Sequence, residues 1–277
     1  MKTFDTIIDL LKEESPYFGY LLDNNYIQYS FGNIVIPEGF EFAERNPDTK
    51  IEIWKKKKKL IIKSEFVLVS RCDNETSVIF SVNSESNAIY GVLRSELTNL
   101  LRNNLTKDTA ASVHAACVKI NNRVVLIIGD KGSGKSSSSI YLHSKGGEIY
   151  TDELVIFHKN GHVFCLPRLL GIDQITLFKY FPDYKRKVKY EIKSMHNIDK
   201  KFLLDIMTKP SELTQIDDVI LLIQGNIHNV SNQDKISLIS RQWSTYDNGV
   251  NSGDILKNII SKSKPMTLNQ IREKIYE

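Results

Sequence analysis

Val124-Val125-Leu126-Ile127-Ile128-Gly129-Asp130-Lys131-Gly132-Ser133-Gly134-Lys135-Ser136 is the stretch around which the rest of the chain can be ordered. Its apolar half predicts a strand buried on both faces. Residues Gly129 to Ser136 match G-x-x-x-x-G-K-[ST] at every fixed position, and a helix predicted over 136–145 follows at once. Glycines at 129, 132 and 134 open backbone conformations closed to other residues, so successive N–H groups can turn inward around phosphates at a helix N-terminus. Lys135 would reach the β- and γ-phosphates, and the Ser136 hydroxyl would ligate Mg²⁺. The set expected to hold a nucleotide is Gly129, Asp130, Lys131, Gly132, Ser133, Gly134, Lys135, Ser136 and Ser137, with ATP and Mg²⁺ as the cofactors. A chance glycine-rich turn is the alternative, and the strand before and helix after the match weigh against it.

Just upstream, Val113 to Ile120 reads as one strand, joined by a tight Asn121-Asn122 turn to the strand that feeds the loop. Downstream, 148–157 reads as strands and Val219 to Ile223 as a further buried strand, with a surface loop over Asn226 to Gln233 and a closing helix over 265–276. Asp152 and Glu153 fall at or within the 148–157 strands, sixteen and seventeen residues after Ser136. Adjacent strand residues face opposite sides, so only one of the pair can point at the nucleotide unless a bulge intervenes. A carboxylate there could accept a hydroxyl proton or hold Mg²⁺, or it could be a solvated strand-end acid. His114 is a core residue or a catalyst. Arg168, in Leu166-Pro167-Arg168-Leu169-Leu170-Gly171, is a phosphate or carboxylate clamp or a surface ion pair.

Toward the N-terminus the patterns change. Phe4, Ile7, Ile8 and Leu11 mark one face of a short helix ending near Ser15-Pro16, and Tyr26 to Val82 holds short β-branched and aromatic segments that predict antiparallel strands. The run Lys55 to Lys59 lies between two of them, as a solvated hairpin tip, a charged sheet edge, or a phosphate- or peptide-binding patch. A helix over 88–105 leads into the second half. The expected organisation is a β-rich accessory region over 1–108 and a P-loop catalytic domain over 109–277.

Composition bounds the function classes. The 277 residues, 41% hydrophobic and 25% charged, suit a soluble globular protein. A net charge of +4 and a pI near 8.7 suit anionic ligands such as nucleotides but are too weak to argue for nucleic acid. Cys72, Cys117 and Cys165 are widely spaced, with no zinc-ligand pattern, which fits a reducing compartment. Asp5 falls where a signal peptide would begin its apolar stretch, and no apolar run approaches the roughly 18–20 residues that span a bilayer. A cytoplasmic protein without a membrane partner is therefore expected.

Taken in order, Val113-His114-Ala115-Ala116, the loop Gly129 to Ser136, the helix ending at Gly146-Gly147, Tyr150-Thr151-Asp152-Glu153-Leu154-Val155 and Leu166 to Gly171 resemble the HPr kinase/phosphorylase family over residues 110 to 175. The resemblance implies an α/β P-loop kinase domain of the type shared with phosphoenolpyruvate carboxykinase. It implies an active-site His114, Asp152 or Glu153 as the base and as metal ligands beside Ser136, and a contribution from Arg168. Two features depart from the family: Pro167 stands where the family has an acid that helps hold the metal, and its C-terminal glycine-arginine segment is not recognisable. The His-Ala-Ala and Pro-Arg variants look more like the divergent HPr-kinase-related proteins, some of which phosphorylate a serine of ribosomally made precursor peptides such as lasso-peptide precursors. That likeness implies a serine-bearing peptide or protein acceptor and leaves a homo-oligomer open. A kinase of small hydroxy compounds and a non-catalytic ATP-binding regulator are the alternatives.

Overall fold

The computed structural model describes residues 4–47, 50–72, 75–104, 109–158, 160–193, 200–208, 214–224, 230–245 and 252–274. The chain is mixed α/β with several sheets and separates into two units, Met1–Asn104 and Leu105–Glu277.

The first unit begins with helices α1 (Phe4–Glu14) and α2 (Pro16–Asp23). Strands β1 (Ile27–Phe31), β2 (Glu41–Arg45), β3 (Glu52–Lys56), β4 (Lys59–Lys63), β5 (Val67–Cys72) and β6 (Glu75–Phe80) follow, then α3 (Ser86–Asn104). Where the sequence suggests a helix stop at Ser15-Pro16, a second helix starts at once. Proline is tolerated at the first helical position because that N–H needs no intrahelical partner, and Phe18, Leu21 and Leu22 then bury one face. The six strands are ordered β1-β6-β5-β4-β3-β2; β2 to β6 form an antiparallel meander, and β1 joins β6 in parallel. Lys55 to Lys59 form the β3–β4 hairpin tip.

The second unit contains β7 (Thr109–Val113), β8 (Ala115–Ile120), β9 (Arg123–Gly129), α4 (Lys135–Ser144), β10 (Glu148–Thr151), β11 (Val155–His158), β12 (Val163–Cys165), β13 (Leu170–Asp173) and α5 (Gln174–Tyr180). After a 3₁₀ turn at Pro182–Lys187 come β14 (Val188–Lys193), β15 (Lys200–Leu204), β16 (Asp218–Leu222), α6 (Asn232–Gln242), β17 (Trp243–Thr245), α7 (Ser252–Lys262), β18 (Ser263–Met266) and α8 (Leu268–Lys274). The central sheet is β10-β8-β9-β16-β18, in which β16 lies parallel to both β9 and β18. Its strands alternate between two cores. Ala116, Val118, Val125 and Ile127 pack with Ile140 of α4, Leu177 of α5 and Ile271 of α8. Ala115, Cys117, Leu126 and Ile128 pack with Leu238 and Ile239 of α6 and Ile259 of α7. Burial on both faces explains why this strand pair carries almost no polar residues.

Several expectations change in register. Residues 113–120 are not one strand: β7 belongs to the sheet β12-β11-β7-β17 and β8 to the central sheet, with His114 at the transfer point. Asn121 and Asn122, at φ 50° and 59°, make the expected turn, since asparagine adopts left-handed backbone at little cost. The closing helix is shorter than 265–276: Pro265 and Met266 pair in β18, and 275–276 lie outside the described residues. Of the loop placed at 226–233, residues 226–229 lie outside the described residues and Asn232 already opens α6. All three cysteines are free thiols. No helix among the described residues is long and apolar enough to cross a membrane.

Candidate functional site

The glycine loop leaves the central sheet at Gly129, paired in parallel with Leu222. A side chain at 129 would meet Leu222 Cβ at 2.9 Å and its carbonyl at 3.1 Å, so close approach of the neighbouring strand demands glycine there. Gly132 (φ +81°) and Gly134 (φ +101°) take left-handed conformations that turn the chain into α4, whose N-cap is Gly134 itself. No side chain caps this helix start, so its first amides keep their capacity for an outside acceptor. At the other end of α4, Gly146 (φ +91°) lets its N–H donate to His143 O at 3.0 Å while Gly147 N–H donates to Leu142 O at 3.0 Å, a stop of the Schellman kind.

Lys135 is buried, 7% exposed, and its Nζ donates to the carbonyls of Gly129 at 2.6 Å and Asp130 at 3.1 Å, closing the loop on itself. Burial pushes its pKa down, opposed by the charges of Asp130 and Asp152. Ser138 and Ser139 turn their hydroxyls back onto Gly134 O and Lys135 O at 2.9 and 3.1 Å. Ser136 instead donates to Asp152 Oδ2 at 3.3 Å, and Ser137 lines a cavity of about 490 Å³ with Gly132, Gly134 and Arg272. A second cavity, about 440 Å³, flanks the loop at Asp130, Ser133 and Arg241.

Asp152 and Glu153 lie in neither β10 nor β11 but in the bend between them. Thr151 Oγ1 accepts from Glu153 N–H and Leu154 N–H, both at 3.3 Å, which explains the bend locally. The strand rule of opposite faces therefore does not govern this pair. Asp152 is 8% exposed, and its Oδ1 is buried without a hydrogen-bond partner. The Glu153 carboxylate forms an ion pair with Arg168, a residue only 2% exposed and so not at the surface. His114 Nδ1 donates to the Glu153 carbonyl at 2.9 Å, and its N–H donates to Gln242 O at 2.9 Å. The chain thus brings Lys135, Ser136 and Asp152 together as one group and His114, Glu153 and Arg168 as another, joined by the 152–153 peptide. Lys185, Arg186, Lys187 and Lys189 form a local basic segment, in which Lys185 lies over the Phe178 ring at 4.4 Å.

Three contributors carry no sequence motif. Arg241 grips Asp130 through both carboxylate oxygens at 3.2 and 2.9 Å, Gln242 adds a bond to Asp130 Oδ1 at 3.1 Å, and Gln224 donates to Gly132 O at 3.0 Å. Arg241 and Gln242 stand 111 and 112 residues from Asp130, too far for local pattern to pair them. Gln224 was findable in principle, since it follows a strand parallel to the one feeding the loop, where side chains of open α/β sheets gather.

Donor chemistry at the loop suits a hard cation. Ser136 Oγ and the unpartnered Asp152 Oδ1 are oxygen ligands of the kind Mg²⁺ takes from protein while phosphates and water complete its shell. Among the described residues no group of three or more His, Cys, Asp or Glu side chains could hold a metal, so a protein-only cage is not built here.

No family model matches the chain, and no curated protein matches it. Among solved structures, the Hpr(Ser) kinase/phosphatase from Coxiella burnetii is similar at 17% identity and a TM-score of 0.25, over 43% of this chain and 64% of that one. The matched part is less than two thirds of that protein's length, and similarity at this level leaves the functional reading to the geometry above.

Proposed function

We propose that the second unit is a P-loop kinase that binds MgATP on Gly129 to Ser137 and transfers the γ-phosphoryl group to a serine hydroxyl of a peptide or protein acceptor. The observation that carries this reading is the Ser136–Asp152 contact at 3.3 Å beside the buried Lys135, with Asp152 Oδ1 left unpartnered. Bound MgATP would supply the phosphoryl group and the cationic charge that offsets charge spreading over its oxygens. The residues of the chain do the rest. Loop amides and Lys135 hold the phosphates, while Ser136 and Asp152 hold the metal. Asp152 rather than Glu153 takes the acceptor's hydroxyl proton, because the Glu153 carboxylate is committed to Arg168. His114 and Arg168 position the bend through Glu153.

The test is mass spectrometry of the purified protein with MgATP and a panel of serine peptides, HPr protein and free hydroxy amino acids, with Lys135→Ala as control. A phosphoryl increment of one acceptor, lost in the variant, is expected; near-normal turnover in the variant would remove the loop from the mechanism. Pro167, standing where an acid would help hold the metal, favours a second reading, a nucleotide-binding regulator. ATP binding without any increment would select it.

A further inference from the structure

Lys55 to Lys59, all five exposed, surround the β3–β4 turn of the first unit. Lysines on an edge strand block sheet-to-sheet association, but the edges here are β1 and β2, and β3 and β4 both have neighbours on each side. The run also works against its own hairpin. Lys56 pairs directly with Lys59, and like charges in that position destabilise a sheet. Lys57 sits at φ 51°, a left-handed turn position where glycine or asparagine is less strained. A charge run that opposes its own hairpin in this way suits an anionic ligand that would neutralise it.

Beside the turn lies a cavity of about 540 Å³ lined by Phe40, Ile61 and four of the lysines, Lys56 to Lys59. Lys56 is held there: its Nζ donates to Glu38 O at 3.1 Å and lies 5.8 Å from the centre of the Phe40 ring. An apolar floor beside one held ammonium group and three further lysines suits a ligand carrying carboxylates and an apolar side chain together. No arginine lines the cavity and Glu38 does, which disfavours a uniform polyphosphate backbone, for which arginine forks are the better match.

We propose that this cavity docks an acidic peptide segment, with one apolar side chain between Phe40 and Ile61 and flanking carboxylates on Lys56 to Lys59. The site stands whether or not the second unit transfers phosphate.

Fluorescence anisotropy of the full chain tests it, using a labelled Glu/Gly dodecapeptide with one central Leu, the same peptide with Gly for Leu, a single-stranded RNA of equal length, and phosphatidylserine vesicles. The Leu peptide should bind best. Lys56→Gln/Lys59→Gln should weaken it about tenfold. Lys257→Glu, an equal change in net charge at a residue 81% exposed in the second unit, should leave the affinity unchanged. Phe40→Ala should erase the preference for Leu over Gly. Unchanged affinity in the double variant, equal loss in Lys257→Glu, or tighter binding of RNA or vesicles than of peptide would overturn the proposal.

Discussion

In the first unit the buried carboxylate of Glu14 accepts from Tyr90 Oη and Arg94 Nε, each at 2.6 Å, whereas in the second unit buried Asp152 has one hydroxyl at 3.3 Å and an oxygen with no partner. Arg71 likewise meets Glu96 through two bonds of 2.7 and 2.6 Å. Desolvating a carboxylate is costly unless donors replace its water. A chain that satisfies Glu14 and Glu96 fully, yet leaves Asp152 short beside a glycine loop, keeps that capacity for a ligand. The contrast separates buried charge that holds a fold together from a buried carboxylate with an oxygen left for another donor or cation.

Four measurements can break or sharpen the contrast. Glu14→Ala should cost about 3–5 kcal/mol, because it strands part-buried Arg94; hydrogen exchange should rise across α1 and α3 and leave α4 unchanged. Arg168→Met should cost less, about 2 kcal/mol by thermal unfolding, since the Glu153 side chain is 27% exposed and can turn to water. Asp152→Asn should change stability least of the three, by under about 1 kcal/mol, because relief of the unpartnered oxygen is offset by the loss of a charge that supports buried Lys135, while ATP still binds by calorimetry and transfer is lost. A stability loss there comparable to that of Glu14→Ala would mean that Asp152 is scaffold. The smallest effect is electrostatic. Arg123 and then Lys264 hold Asp218 below the usual carboxylate range. A depressed folded-state pKa stabilises the fold above the unfolded value near 4 and loses that contribution as pH falls through the folded value. Asp218→Asn should therefore lower the melting temperature slightly at pH 7, where the contribution is fully present, and change little at the acid end, so that the acid limb of the profile is flatter.

The hydrophobic runs and turn residues made much of this legible. The Val124–Ile128 strand, the Asn121-Asn122 turn, the glycine loop and the helix behind it follow from patterns within a dozen residues, where period, φ preference and capping act locally. One departure comes from chain path. Val113 to Ile120 is apolar throughout, so nothing in the pattern marks His114 as the point where it changes sheets; that is set by β17 pairing with β7 and β10 with β8. The α2 helix was hidden because Pro16 ends one helix and opens another equally well.

What the sequence determined by itself is the class of local structure and the residues proposed for chemistry at the loop, because the backbone freedom of Gly129, Gly132 and Gly134 and the side-chain types of Lys135 and Ser136 are properties of the residues. Tertiary structure alone decided the partnerships: Asp152 with Ser136, Glu153 with Arg168, and Arg241 with Asp130. Those depend on which strand ends and helices packing brings together, and a carboxylate in a sequence looks the same whether a distant arginine reaches it or not.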